Sequence, residues 1–278
     1  MLYIVATPIG NLSDVTLRAL DTLKMVDLIL CEDTRVTSVL MRHYMIDKPL
    51  MVYNDHSDEK TRNKIIEKLE LGQNLAMVSD AGTPLISDPG YKLIVELKDR
   101  NIKVETLPGA CSVISALTIS GLPTDRFMFI GFLASKISAK QTLFAEIKDI
   151  KATLVCFESA KRLLKTLDIM KSFFAKRKIS VLREITKLYE ESVSGSIDEV
   201  IEYYEMHMDK LRGEIVICID QPKEDDEDDN ESNIIKQLIP LMHKMSLRDA
   251  VDAVASQHPI SKKQIYKIAL SIKSNDSI

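Results

Sequence analysis

The 278-residue sequence has no tryptophan, and aromatic residues make up only 5% of it. Any stacking surface must rest on a few rings, with Phe132, Phe157 and Tyr189 the candidates beside their plainer use as core. No apolar run approaches the roughly 20 residues needed to cross a bilayer, so a soluble chain without membrane spans is expected. The first residues, MLYIVATPIGNL, lack a basic start: the first cation is Arg18 and the apolar run ends at Pro8 and Gly10. That pattern argues against a secretory signal and for a first strand. Cys31, Cys111, Cys156 and Cys218 show no C-x-x-C or C-x-x-H spacing, which removes a disulfide framework and a structural zinc and fits a reducing cytoplasm. The motifs G-x-G-x-x-G, G-x-x-x-x-G-K-[ST] and H-E-x-x-H are also missing. Dehydrogenase, P-loop nucleotidase and zinc-protease readings lose support, and no metal is expected.

What remains is an ordinary globular composition, 45% hydrophobic and 28% charged, long enough for about two domains of roughly 150 residues each. The net charge of −4 hides local contrasts. Residues 223–232, KEDDEDDNES, hold seven acids and one base, and read as a solvated linker because like charges repel and bury nothing. Residues 132–190 hold thirteen Lys/Arg against six Asp/Glu, and 233–278 hold seven against three. Such stretches read either as the footprint of a polyanion or as basic residues scattered over solvated helix faces.

Apolar runs of strand type alternate with helical patterns over the first hundred residues. Strands are expected at 2–7, 27–33, 50–54, 74–84 and 102–108, with helices at 16–26, 38–46, 58–72 and 89–101 between them. This is an α/β layout with a parallel sheet, whose ligands bind beyond the carboxyl ends of the strands. GLPTD (121–125) marks a boundary between a unit at 1–120 and one at 121–222. The second has expected strands at 127–133, 152–159, 178–186 and 213–220 and helices at 138–149, 160–174 and 196–209, a ratio that favours a mixed sheet. A helical tail, 233–278, reads as helices at 233–245 (interrupted at Pro240), 246–257 and 261–273, with Ser246 and Ser261 as N-caps. Its last two helices resemble a helix-turn-helix, a geometry shared with plain helical packing.

Polar turns follow the strands: TPIGN (7–11) the first, EDTR (32–35) the second, SDAGTPLISDPG (79–90) the fourth and LPGACS (107–112) the fifth. Any one of them is ordinary turn chemistry, but four on one sheet edge point to a binding site. A second group, FESAKR (157–162), LREITK (182–187) and RGE (212–214), sets charges at the ends of apolar runs. Glu158, Arg162, Arg183, Glu184 and Lys187 must either pair with one another or face a cleft.

Taken in order with VSDAGTPLISDPGY, LPGACSVISALTISGLPTDRFMFIGFL and TPIGNLSDVTLRAL, these segments resemble the ribosomal-RNA branch of the tetrapyrrole methylase family over nearly all of residues 2–222. The resemblance implies the class III S-adenosylmethionine methyltransferase fold, two α/β domains with the cofactor between them plus the helical appendage. It also implies a cytoplasmic homodimer that 2′-O-methylates a cytidine in the 16S rRNA of the small ribosomal subunit. Carried over by motif, S-adenosyl-L-methionine would contact Pro8, Asp80, Ala81, Gly82, Thr83, Ile86, Cys111, Ser112, Phe157 and Glu158, while Lys136 and Arg162 would serve the substrate. The chain departs from the family pattern in ATPIGN, PGAC, GFLASK and ESAKR, where a proline, a proline, a proline and a histidine are usual.

A ribose hydroxyl must lose its proton to attack a methyl group. Glu184 is the first candidate base, with Arg183 and Lys187 placing phosphates; Asp33 and Arg35 of EDTR are the second. A tetrapyrrole-intermediate methylase, a diphthine synthase-like protein methylase and a non-catalytic ribosome assembly factor would all fit the same fold.

Overall fold

The computed structural model describes residues 1–222, 234–255 and 261–275. The expected acidic linker at 223–232 and residues 256–260, at the join of the last two expected helices, lie outside the described residues.

Five short apolar strands form the first sheet: β1 (Leu2–Val5), β2 (Leu28–Cys31), β3 (Leu50–Val52), β4 (Leu75–Met77) and β5 (Val104–Leu107). All pair in parallel in the order β3-β2-β4-β1-β5. Side chains alternate between two cores, as a strand repeat of two requires. Leu28, Leu30, Leu75 and Met77 face one, and Ile29, Cys31, Ala76 and Val78 the other. Burial on both faces explains the unbroken apolar runs. Helices α1 (Leu17–Met25), α2 (Thr34–His43), α3 (Glu59–Glu70) and α4 (Tyr91–Asp99) connect the strands. Because β4 lies between β1 and β2, and β5 on the other side of β1, the turns after these four strands emerge side by side.

The second sheet is mixed, as its sparser helices imply. Strands β6 (Phe127–Phe132), β7 (Thr153–Ser159), β8 (Ile179–Arg183), β9 (Glu191–Gly195) and β10 (Glu214–Ile219) run in the order β6-β7-β10-β8-β9. Only β6 and β7 are parallel. One face is covered by α6 (Ile137–Ile147), α7 (Leu163–Phe174) and α8 (Ile197–Met206), which bury Phe144, Leu167, Met170 and Tyr204 against Cys156, Val181 and Ile217. The other face receives α5 (Ser112–Ser120): Val113, Ala116 and Leu117 pack on Val155, Leu182, Val216 and Cys218, joined by Ile9. A helix that directly follows the first sheet therefore packs on the second. This brings the polar edge of one sheet against the end of the other.

In the tail, α9 (234–242), α10 (Leu247–Ala255) and α11 (Lys262–Asn275) share a core of Ile234, Leu238, Val251, Val254 and Ile265. Ser246 and Ser261 cap α10 and α11, accepting from Asp249 N and Gln264 N. The helix is not interrupted at Pro240 as expected. Proline sits two residues from its end, where it forfeits one hydrogen bond and little helix follows to be displaced. Among the described residues no helix is long and apolar enough to cross a membrane.

Candidate active site

The turns after β1, β4 and β5 are stitched together by backbone. Thr7 N donates to Gly82 O at 2.8 Å and Gly82 N returns to Thr7 O at 3.1 Å, while Thr83 Oγ1 donates to Ala110 O at 3.0 Å. Gly82 has φ +82°, and Leu85 and Ser87 also lie in the left-handed region, at φ 73° and 66°. Non-glycine residues held there are strained, which is common where a loop is shaped for a ligand.

Between these turns and the second sheet lies a cavity of ≈ 460 Å³, within the range of small-molecule sites, about 300–1,000 Å³. Asp80, Ala81, Gly82, Thr83, Ile86, Cys111, Ser112, Phe157 and Glu158, expected at the cofactor, all line it; Pro8 does not, though its neighbour Ile9 does. Arg162 is also in the wall, whereas Lys136 stands exposed outside it, at the start of α6. Phe132 and Phe157 meet edge to face at 5.0 Å, both on the cavity, and Phe132 is exposed rather than core. Tyr189 is exposed too, with the Arg212 guanidinium over its ring at 6.0 Å. Gly213 and, from the start of β10, Glu214, Ile215 and Val216 complete the lining, of which the sequence marks only the RGE segment.

Glu158 forms the most enclosed charge cluster. Its Oε2 meets Lys140 Nζ at 2.5 Å and accepts from Thr166 Oγ1 at 2.7 Å, and its Oε1 accepts from Ser159 N and Arg162 Nε, both at 2.7 Å. Burial pushes its carboxyl pKa up, but the hydrogen bonds from Lys140, Thr166 and Ser159 outweigh it and hold the group below its ordinary value. Sequence reading found Glu158 and Arg162 but missed Lys140 and Thr166, which project from α6 and α7 into the sheet's core side.

The LREITK segment sits at the seam between the sheets. Glu184 and Thr186 have φ 53° and 66°. The Thr186 hydroxyl donates to Asp14, and the Lys187 stem crosses Gly10, where an added Cβ would run into its Cγ. Glu184 Oε1 accepts from Glu214 N at 2.9 Å and from Lys187 Nζ at 3.0 Å. Burial raises its pKa, yet the Glu214 amide and Lys187 bring it below the ordinary value. Arg183 is 6% exposed and points at Glu191 Oε2, 3.4 Å away. None of these three lines the cavity. Arg183 is paired with Glu191, and Lys187 with both Glu184 and Glu214, so Glu184 and Lys187 clamp the seam beside the cavity rather than lining it.

Asp33 is likewise engaged. It caps α2 and accepts from Arg35 N at 2.8 Å and Arg35 Nε at 3.0 Å, and the Arg35 side chain lowers its pKa to about 2. Its neighbour Glu32 is the residue of EDTR that faces the cavity, together with Asp80 and Asp88. Burial, then the Asp88 and Asp80 charges, raise Glu32 to about 7. Among the described residues no group of three or more His, Cys, Asp or Glu is placed to hold a metal ion.

Comparison with known proteins agrees with this architecture. Residues 1–201 match the model of the tetrapyrrole (corrin/porphyrin) methylases. The chain is 52% identical over 218 residues to the ribosomal RNA small subunit methyltransferase I of Rickettsia prowazekii, covering 78% of this chain and 77% of that one. It is 40% identical over 273 residues to the Haemophilus influenzae protein of the same name, covering 98% and 96%. A solved uroporphyrin-III C-methyltransferase from Thermus thermophilus, complexed with S-adenyl homocysteine, shares the fold at TM-score 0.53 and 17% identity, covering 79% of this chain and 96% of that one. With a matching family model over most of its length and relatives of this identity, the chain belongs to the tetrapyrrole methylase family.

Proposed function

We propose that this chain is an S-adenosylmethionine-dependent methyltransferase that 2′-O-methylates a cytidine ribose in 16S rRNA, acting on the small ribosomal subunit as a cytoplasmic homodimer. The observation that carries the reading is the 40% identity over 98% of the chain to a protein named for small-subunit rRNA methylation.

The cavity's chemistry supports the cofactor. Ile9, Ile86, Phe157 and Val216 offer apolar walls for a nucleoside, and Asp80 and Asp88 offer negative charge to an ammonium or sulfonium. The first turn of α5, entered from Cys111 without a side-chain cap, offers free backbone N–H groups to a carboxylate. When bound, S-adenosylmethionine supplies the methyl group. The protein's part is to hold the acceptor in line, which accounts for about 7–11 kcal/mol in well-oriented reactions, and to receive a proton.

Exposed Lys136, Lys161 and Arg212 stand on segments that also carry cavity residues, and Arg162 reaches from the wall with a third of its side chain exposed. They support phosphate contacts outside the cavity, so RNA affinity should fall with salt. The units 1–120 and 121–222 are proposed as two domains that meet at GLPTD and share α5 in packing, with the tail at 233–278 following the linker at 223–232.

Incubation with tritiated S-adenosylmethionine and small subunits lacking 2′-O-methylcytidine should place the label in that nucleoside. Label appearing only in a porphyrinoid or a protein would overturn the RNA reading, and cofactor binding without any transfer would favour an assembly factor.

A further inference from the structure

The carboxylates around the cavity differ in what their oxygens already hold. Glu158 binds two cations, a hydroxyl and an amide; Glu184 binds an amide and Lys187; Asp33 binds Arg35. Asp80 accepts from Asp33 N, Asp88 is held by Ser79, and Glu214 pairs with Lys187 while its side chain is 74% exposed. Glu32 is the exception: it lines the cavity, and its Oε1 is buried with no hydrogen-bond partner. Such an atom loses solvation without compensation, and an unpaired polar atom in a fold calls for an explanation, a catalytic role among them. Resting on the methyltransferase reading above, we propose that Glu32 is the catalytic base, its carboxylate accepting the proton of the attacking hydroxyl.

The bond changes balance without another reactant. The hydroxyl O–H bond breaks toward the Glu32 carboxylate as the oxygen bonds the methyl carbon, and the C–S bond breaks with its electron pair remaining on sulfur. The products are a methyl ether, a neutral thioether and a protonated Glu32, which returns its proton to water.

The groups facing Glu32 set when it is ready. Asp80 and Asp88 reach it from the long turn after β4 and Asp55 from the loop after β3, while Glu158, Arg162 and Glu214 line the same cavity and Asp33 is turned away onto Arg35. Burial and the Asp88, Asp80 and Asp55 charges favour the protonated form, against the pull of the Asp80 amide, and bring the group to about 7. A base is most effective when its pKa lies near the working pH.

The test compares wild type with Glu32→Gln and Asp88→Asn, each first checked for folding by circular dichroism and for S-adenosylhomocysteine binding by equilibrium dialysis. Single-turnover methylation of unmodified small subunits is then followed from pH 5 to 9. The wild-type rate should climb about tenfold per pH unit and level off above pH 7, and Glu32→Gln should fall about 10²–10⁴-fold and lose that limb. Asp88→Asn should move the limb to lower pH, because removing a like charge eases ionisation of Glu32. An infrared titration of the protein alone gives a readout independent of turnover: a protonated carboxyl band should vanish near pH 7 in wild type and be missing in Glu32→Gln. A Glu32→Gln rate within threefold of wild type, an unchanged limb, or an unchanged band would each overturn the assignment. If wild-type protein binds cofactor but labels no RNA, the substrate reading fails instead, and the band still decides whether Glu32 is the proton-holding carboxyl of the cavity.

Discussion

Replacing Lys140 with methionine is expected to cost the fold about 3 kcal/mol, the lower end for one broken partner of a buried ion pair. Methionine keeps the side chain's length, so packing changes little. What changes is that Glu158, whose side chain is 0% exposed, loses the cation 2.5 Å from Oε2. Arg162 and the Ser159 amide still hold Oε1, which keeps the cost from the top of the range. Exchanging both members, Lys140→Met with Glu158→Leu, should recover most of the loss, since no buried charge is then left unpaired and Arg162 has access to water. The pH dependence follows from the lowered carboxyl pKa of Glu158. A depressed acid stabilises the fold above its ordinary value and ceases to do so as pH falls through its folded value. The gap between wild type and Lys140→Met should therefore narrow in acid. Urea unfolding at pH 7 and at pH 4 measures both effects; a gap under 1 kcal/mol at pH 7 would sink the account.

Gly82→Val should weaken S-adenosylhomocysteine binding at least tenfold while costing about 1–3 kcal/mol of stability. At φ +82° a β-branched residue is forced into left-handed backbone, and its Cβ would lie 3.2 Å from Ile9 Cγ2. Relief requires the turn to move, which breaks the two backbone bonds to Thr7 and shifts Ala81 and Thr83 in the cavity wall. Gly121→Ala is the matching control. That glycine ends α5 at φ +71° with nothing within 4 Å of the added Cβ. It should show the backbone cost, about 1–2 kcal/mol, with binding unchanged. Equilibrium dialysis and denaturation of the two variants separate the effects; equal binding by both would mean that the turn's shape is irrelevant to the cavity.

Much of this arrangement is written in local sequence. The apolar runs of the first sheet and the turns that follow them are visible because parallel strands buried on both faces need uninterrupted side chains, and their ends then need polar ones. Helix α2 starts at Thr34 rather than at 38, with Asp33, a candidate for chemistry in the sequence, serving as its N-cap. Two elements left no usable pattern. Strand β9, ESVSG, is short, polar and at the sheet's edge, so it has little to bury. Helix α5, SVISALTIS, is apolar on nearly every side, and no stripe of 3.6-residue period stands out. Within the site, the motifs located the cavity but not the roles. Glu32 and Asp33 are adjacent on extended chain and leave it on opposite sides, so one letter separates a carboxylate facing the cavity from one capping a helix. Lys140 has no local signal that sets it apart from an exposed helix lysine, because only the approach of β7 to α6 and α7 reveals that it is buried.

Because α5 packs on the second sheet while the turn before it is tied to the first, the halves are not independent bodies that happen to touch. A small molecule filling the space between them would act as a reversible cross-link. Saturated at about 100 times its Kd, it adds about 2.7 kcal/mol to the cost of opening, and that increment falls on both halves at once. Ligation would therefore merge their melting into a single cooperative event, making the bound molecule a structural component of the protein as much as a reactant.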